Sequence, residues 1–317
     1  MYIAIDGGGT KTEYLLLDER FEVVERAFGG ASNHEHVTGG FEGVRREFEE
    51  TIGDLLARHH LTASDVRDVV AGLSGADNRS QIALLEEILH DMGFSRVMVC
   101  NDGYLPVKTA CENGVGIAYN CGTGVCCTSI DSDGKMTKTG GLEEWAGDAG
   151  GGTWILQQVF RCVYDEVWLG VGHTQLTQAY MDALGLAPDA PELSPPEESL
   201  PLLLGDGAAK HRVIGALFAC SHQGDPSARG ICDHMIERGA AYIAGAYRAG
   251  RFDGESVCIS LAGSVLLKAA DEDYLSRFKA SVEEALPVSV KWTKPEFSAA
   301  YGAAEWIKER NQNIELG

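Results

Sequence analysis

Apolar residues fall into short segments separated by polar, glycine-rich turns, and their spacing alternates between that of strands and that of helices. Three strands come first, and helices and strands then alternate. The predicted strands are residues 1–6, 13–18, 22–28, 66–73 and 97–100, and the predicted helices are 40–60, 79–92 and one entered at 101–103 that ends at 111. This βββαβαβα order predicts a sheet flanked by helices.

The opening pattern returns in the second half of the chain, which indicates a duplicated fold. Residues 117–124 match residues 3–10 at an offset of 114, and each stretch is followed by another strand-like run. The later predictions are helices at 147–169, 205–247 (interrupted at 223–226) and 299–310, a helix opening at 263–264, strands at 257–261 and 288–292, and a proline-rich loop or lid at 187–201.

The duplication predicts two domains. We expect an N-terminal domain of residues 1–112 plus 299–317 and a C-terminal domain of residues 113–298. The last helix is expected to return to the first domain, because the second copy is already complete before it.

Each copy contains a glycine-rich turn between two strands. In the first, Asp6 is followed by three glycines and Thr10, and the backbone N–H groups of such a turn can converge on an anion. Asp6 is placed to hold a metal-bound water, and Thr10 to add a hydroxyl contact. An ordinary Asp-Gly hairpin explains a single turn equally well. Two such turns facing each other would clamp a nucleotide polyphosphate.

Composition narrows the range of partners. The 317 residues carry a net charge of −21 and are 44% hydrophobic, so a large core is available and nucleic acid and anionic membranes are repelled. No apolar run approaches the roughly 20 residues of a membrane span. The nine cysteines show no CxxC spacing, and the chain opens directly into a strand. We therefore expect reduced thiols and a cytoplasmic protein.

Together these motifs resemble the sugar kinase/Hsp70/actin superfamily, and within it the N-acetylglucosamine kinase-like branch of the BadF/BadG/BcrA/BcrD-type ATPases. The matching stretches, which cover nearly the whole chain, are residues 6–12, 32–34, 73–75, 101–103, 122–124, 147–148, 223–226 and 262–265. The resemblance implies an α/β fold of two ribonuclease-H-like (actin-like ATPase) domains. Each would be a mixed sheet flanked by helices, and the cleft between them would close over ATP, Mg²⁺ and substrate.

The resemblance also implies roles for individual residues. Asp102 would be the general base, Asp6 would orient hydrated Mg²⁺, and Gly263 and Ser264 would lie beside the adenosine. Phosphate contacts would come from Gly8, Gly9, Thr10, Lys11, Gly122, Thr123 and Gly124, a further nucleotide contact from Ser221, and substrate contacts from Asn33, Ser74, Gly75, Asp102 and Asp148.

Structural explanations compete with several of these roles. Asp102 and Asp148 each precede a predicted helix, where a carboxylate serves as an N-cap. Asn33 is compatible with a simple loop turn, and the residues after Ser221 with a helix break made by Gly224 and Pro226.

The substrate-facing stretch departs from the family pattern. Sugar kinases of this branch usually have Gly-Trp-Gly followed by Gly-Asp-Glu-Gly. Here Leu142-Glu143-Glu144 replaces that small, aromatic, small pattern, Trp145 is displaced, and Ala149 replaces the glutamate. The sequence therefore favours kinase chemistry over any particular sugar, and homodimerisation is left open.

Three functions are compatible with the sequence. The leading one is ATP-dependent phosphorylation of a sugar or amino sugar such as N-acetylglucosamine or glucosamine. The second is an ATPase activator of a 2-hydroxyacyl-CoA dehydratase, which holds an iron–sulfur cluster through cysteines. The third is a nucleotide- or sugar-binding regulator without turnover.

Overall fold

A computed structural model describes residues 1–187 and 196–315 of the chain. Its strands are β1 Tyr2–Gly7, β2 Thr12–Leu17, β3 Val23–Gly29, β4 Asp68–Leu73, β5 Val97–Cys100, β6 Gly116–Cys121, β7 Val125–Ile130, β8 Met136–Gly140, β9 Ser256–Ala262 and β10 Ser289–Thr293. Its helices are α1 Phe41–Arg58, α2 Arg79–Asp91, α3 Leu105–Ala110, α4 Gly152–Leu169, α5 Gln175–Leu184, α6 Pro196–Gly205, α7 Gly207–His222, α8 Pro226–Ala249, α9 Glu272–Ala285 and α10 Ala300–Glu315.

The first half of the chain forms a five-stranded sheet in the order β3-β2-β1-β4-β5. β1, β2 and β3 are antiparallel, whereas β4 runs parallel to β1 and β5 parallel to β4. The register pairs Asp6 with Glu13 on one side and with Gly72 on the other. Apolar residues of α1 and α2, among them Phe48 and Leu89, pack against the β1 side chains Ile3 and Ile5 in one core cluster.

The second half repeats this sheet, with the order β10-β9-β6-β7-β8. Read from the other edge, the order is the same as in the first sheet, and β6 takes the place of β1. The largest core cluster lies here, where side chains of α4 through α9 cover the sheet and Tyr119 stacks on Phe278. The duplication predicted from the sequence is therefore confirmed, as is the α/β class with two mixed sheets flanked by helices.

The two halves meet around α3. A third apolar cluster joins residues of β1 and β4 to α3, α10 and two side chains of the second sheet, Ala118 and Ile130. The C-terminal helix α10 contacts β1, β2, β4 and α3, and Arg310 pairs with the buried Asp68 at 2.9 Å. The division into residues 1–112 plus 299–317 and 113–298 stays a prediction, and the packing of α10 agrees with it.

Several predicted elements differ from those observed. Helix α4 begins at Gly152, not 147, because residues before it form a turn held by the Asp148 side chain. The predicted loop at 187–201 is wrong for its last residues, which belong to α6, and residues 188–195 lie outside the described part. The helix expected after Gly263 is one short turn, Val265–Ala269. Within the described ranges, none of the helices combines the length and hydrophobicity needed to cross a membrane.

Candidate active site

The first glycine turn is joined to the two loops that carry the predicted substrate residues. Gly8 N–H donates to Lys11 C=O at 3.0 Å, which closes the turn. Ser32 N–H donates to Gly8 C=O at 3.1 Å, and Ser74 N–H donates to Gly7 C=O at 2.8 Å. These bonds bring Asp6, Asn33, Ser74 and Gly75 to one end of the first sheet, because each loop is fixed to the turn through its backbone.

The second glycine turn supports the start of α4. Gly152 N–H donates to Gly122 C=O at 2.8 Å, and Thr153 N–H donates to Thr123 C=O at 3.1 Å. Apart from each glycine's own chain neighbours, no atom of the described residues lies within 4 Å of where a Cβ on Gly122 or Gly124 would stand. The glycines at these two positions are therefore not required by packing within the chain, and the space beside them is open to a ligand.

Asp102 is the first residue of a 3₁₀ turn, Asp102–Tyr104, that follows β5. The N-cap is Asn101, whose Oδ1 accepts from Gly103 N–H at 3.0 Å, so the interpretation of Asp102 as the N-cap is wrong. Burial raises the pKa of Asp102 to about 6, against the lowering effect of Lys138; Asp77 raises it further. A carboxyl with this pKa is ionised at neutral pH and still basic enough to accept a proton.

The pKa of Asp6 is also raised, by burial and in part by the negative charge of Asp102. Burial raises the pKa of Asp6 to about 7, the negative charges of Asp102 and Glu13 add to the rise, and Lys11 opposes it. The Lys11 side chain is exposed, and its ammonium lies 5.7 Å from the centre of the Phe28 ring. Two carboxyl groups at the ends of β1 and β5 thus have raised pKa values, because the lysines Lys138 and Lys11 offset only part of the effect of burial and of neighbouring negative charge.

Sequence reasoning missed Asp77 and Lys138, which lie next to Asp102. Lys138 Nζ, on β8 of the second sheet, donates to Asp77 Oδ1 at 2.5 Å, and Asn101 Nδ2 donates to the same oxygen at 2.8 Å. Asp77 stands two residues after the matching stretch 73–75, a position that could have drawn attention to it. Lys138 lies in an unremarkable hairpin strand, and only the fold brings it to the cleft.

Asn33 and Ser74 contact each other. Asn33 is 5% exposed; its Nδ2 donates to Ser74 Oγ at 3.1 Å and its Oδ1 accepts from Glu35 N–H at 2.9 Å. Gly75 lies so close that a Cβ there would be 2.7 Å from Asn33 Oδ1. Asn33 therefore forms the loop turn that competes with a binding role. One N–H of its side-chain amide is still able to donate to a ligand.

Asp148 organises the stretch that departs from the family pattern. Its Oδ2 accepts from Leu142 N–H at 2.8 Å and Glu143 N–H at 2.7 Å, and its Oδ1 accepts from the Tyr242 hydroxyl. It is not the cap of α4, whose N-cap is Gly151. Trp145, on the same loop, is 98% exposed. This carboxylate holds the loop rigid, with little hydrogen-bonding capacity left for a substrate.

Two large pockets flank the second glycine turn. One, of about 660 Å³, is lined by Gly122, Thr123 and Ser264 together with apolar residues that include Leu203 and Ile214. The other, of about 700 Å³, is lined by Thr123, Gly124 and Asp148, with Trp145 and Trp154 among its aromatic residues. Asp6 and Asp102 line neither pocket, since both pockets belong to the second half alone. A complete site therefore needs both halves.

Gly263 and Ser221 differ in their relation to these pockets. Gly263 has a φ of +89°, and a Cβ there would lie 2.2 Å from Cys121 C=O, so only glycine lets β9 lead into the turn that carries Ser264. Ser221 is 2% exposed, and its hydroxyl accepts from Arg277 at 3.4 Å. The structure brings Gly263 to the pocket edge through Ser264 and leaves Ser221 outside both pockets.

Similarity to known proteins agrees with this geometry. The chain is 28% identical over 151 residues to an N-acetylmuramic acid/N-acetylglucosamine kinase from Clostridium acetobutylicum, covering 47% of this chain and 49% of the relative. It is 25% identical over 198 residues to an N-acetyl-D-glucosamine kinase from Dictyostelium discoideum, covering 59% and 61%. The match thus spans about half to three fifths of the length of these curated relatives.

A solved structure extends the likeness to the whole fold. A candidate N-acetylglucosamine kinase from Chromobacterium violaceum superposes with a TM-score of 0.67 at 22% identity, covering 96% of this chain and 97% of that one. The model of the BadF/BadG/BcrA/BcrD ATPase family matches residues 3–170, more than half of the chain. By this match, and by the glycine turns and cleft carboxylates that lie within it, the chain belongs to the BadF/BadG/BcrA/BcrD ATPase family.

Proposed function

We propose that this protein transfers the γ-phosphoryl group of ATP to a hydroxyl of an amino sugar or a related hexose. The observation that carries the proposal is the half-buried Asp102 carboxylate, held where the halves meet and close enough to Asp6 to raise the pKa of Asp6. Phosphoryl transfer needs positioned phosphates and an oriented nucleophile rather than covalent catalysis. The names of the two curated relatives support a sugar as acceptor.

Asp102 would accept the proton of the attacking hydroxyl, and Asp6 would orient the hydrated metal. The residues present fit a divalent cation, because two neighbouring carboxyl groups with raised pKa values create a negative site that a hydrated Mg²⁺ neutralises. When bound, Mg²⁺ supplies charge neutralisation and orientation of the phosphates. Asp6 would hold it through water.

The nucleotide would lie along the second domain, with its phosphates between the two turns. Gly8, Gly9, Thr10 and Lys11 would approach them from one side, and Gly122, Thr123 and Gly124 from the other. The adenosine would occupy the apolar pocket edged by Ser264 and Leu203, which is of suitable size for it. We leave Ser221 out of this site, because its hydroxyl faces Arg277.

The acceptor would be held by Asn33, Ser74 and Gly75 on the first domain, with Asp148 shaping the opposite wall. That wall differs chemically from the family pattern, since Leu142, Glu143 and Glu144 stand where a small, an aromatic and a small residue are usual. A carboxylate beside the sugar suits a cationic amine, which an N-acetyl group removes. We therefore propose that glucosamine is a better substrate than N-acetylglucosamine.

A coupled assay of ADP release over a panel of sugars and amino sugars, with and without Mg²⁺, tests the proposal. We expect Mg²⁺-dependent turnover with at least one amino sugar and a higher kcat/KM for glucosamine than for N-acetylglucosamine. A higher kcat/KM for N-acetylglucosamine would refute the substrate assignment alone. Sugar binding without any ADP release would favour the regulator, and iron in the purified protein would favour the dehydratase activator.

A further inference from the structure

The turn that carries Asp102 is contacted by the second domain along two separate routes. Along the first, Thr128 on β7 donates its hydroxyl to Gly103 C=O at 2.6 Å, in a buried hydrogen bond. Along the second, Lys138 on β8 donates a hydrogen bond to Asp77 Oδ1, and Asn101 Nδ2 donates to the same oxygen. Asn101 Oδ1 in turn accepts a hydrogen bond from Gly103 N–H. Both routes end on the peptide groups of the residue immediately after Asp102.

The packing at Gly103 shows how tight this contact is. A Cβ on Gly103 would lie 2.9 Å from Asn101 Oδ1, 2.9 Å from Thr128 Cγ2 and 3.2 Å from Cys126 Sγ. Glycine is therefore required for the two halves to approach this closely. Because closely packed groups have few alternative arrangements, a change on the second domain should alter the position of Asp102.

Among the ion pairs of the described residues, the Lys138–Asp77 pair differs from the others because it joins the two sheets. Its side chains are 21% and 37% exposed, and it joins β8 of one sheet to the loop after β4 of the other. An exposed pair of this sort contributes little to stability, with a usual range of about 0–1 kcal/mol. Its position suggests a role other than stabilisation, since Asp77 Oδ1 accepts hydrogen bonds from both Lys138 and Asn101.

We propose that Lys138 and Asp77 are positioning residues for the transfer reaction, which hold the Asp102 turn in its working place from across the cleft. The inference rests on the proposed kinase function. Neither residue is assigned contact with the substrate. Their charges act on the pKa of Asp102 in opposite directions, and their shared structural effect runs through Asn101 and the Gly103 peptide. The domain carrying the nucleotide pocket thereby fixes the carboxylate that activates the acceptor hydroxyl.

Steady-state kinetics of variants with the preferred sugar test this role. Lys138→Met and Asp77→Asn should each lower kcat by about 10- to 100-fold, the scale expected for a misplaced catalytic group, with the KM for ATP nearly unchanged. Lys138→Arg should recover most of the loss, because it keeps the cation. The double variant should be no worse than either single variant, since both act through one contact.

Lys135→Met is the matched control. Lys135 lies on the same β7–β8 hairpin and donates to Ala249 C=O, away from Asp102. It should retain wild-type kcat. If Lys138→Met has the kcat of wild type, or if Lys135→Met is impaired equally, the positioning role is wrong.

A second readout does not depend on finding the substrate. Amide hydrogen exchange over residues 101–107 should be faster in Lys138→Met and Asp77→Asn than in wild type, and unchanged in Lys135→Met. Unaltered exchange in the first two variants would overturn the proposal even if the protein is a kinase. Faster exchange in these two variants, together with a wild-type protein that phosphorylates no sugar, would support the positioning contact and refute the proposed function.

Discussion

Replacement of Asp102 by asparagine should stabilise the protein while it sharply lowers turnover. The pKa of Asp102 is raised from 3.8 to about 6, chiefly by burial, so the folded state favours the protonated carboxyl. For an acid with a raised pKa, stability falls as pH rises through the interval from 3.8 to about 6. At neutral pH the ionised carboxylate therefore costs folding free energy, and a neutral amide of the same size does not.

The magnitude follows from the shift. About two pH units at about 1.4 kcal/mol each give a ceiling of about 3 kcal/mol at pH 8, and water at this partly exposed position reduces it to about 1–3 kcal/mol. At pH 5.5 the gain should be smaller by about 1 kcal/mol, because much of the wild-type carboxyl is then protonated in the folded state.

Equilibrium urea denaturation at pH 8 and pH 5.5 measures this difference. Asp54→Asn, a change at an exposed carboxylate of α1, is the control and should leave stability unaltered at both values of pH. In the same preparation, Asp102→Asn should lose about 10²- to 10⁴-fold in turnover, the usual scale of general-base catalysis. Equal or lower stability than wild type at pH 8 would refute the burial argument, and wild-type turnover would refute the assignment of the base.

Three further outcomes are expected. The kcat/KM of the sugar should fall as pH drops below about 7, because Asp6 and Asp102, with pKa values of about 7 and about 6, become protonated; a flat profile down to pH 5 would contradict this. Gly122→Val should fold normally, since no atom of the described residues beyond its chain neighbours is near a Cβ there. Calorimetry should show weakened ATP binding by Gly122→Val and by Gly9→Val, and unchanged ATP affinity in both variants would place the phosphates elsewhere. Small-angle scattering should give a smaller radius of gyration with sugar and nucleotide together, and an identical profile at saturation would count against domain closure.

Local sequence patterns determined most of the fold. The apolar runs around the two glycine turns predicted β1, β2, β6 and β7, because strand alternation and turn chemistry are encoded within a few residues. The repeat at an offset of 114 residues predicted the duplication, and the sheets have matching strand orders. The last turn of residues 187–201 was misassigned, because prolines read as breakers still permit the start of a helix, as at Pro196 of α6.

The chemistry of individual side chains depended on tertiary structure. Asp102 could be read from sequence as a base or as a helix cap, and only the observed bond from Gly103 N–H to Asn101 assigns the cap to its neighbour. Asp148 was predicted to face the sugar, yet its hydrogen bonds go to Leu142, Glu143 and Tyr242, the last of them 94 residues away in sequence.

Long-range contacts account for the rest. Lys138 and Asp77 are separated by 61 residues, and no sequence motif predicts that an ordinary hairpin lysine reaches across to the loop beside Asp102. Sequence determined which elements form, since secondary structure follows from local spacing and turn residues. The fold alone decided which charges meet, because the burial and charge environment that set the pKa of Asp102 depend on how the two sheets pack against one another.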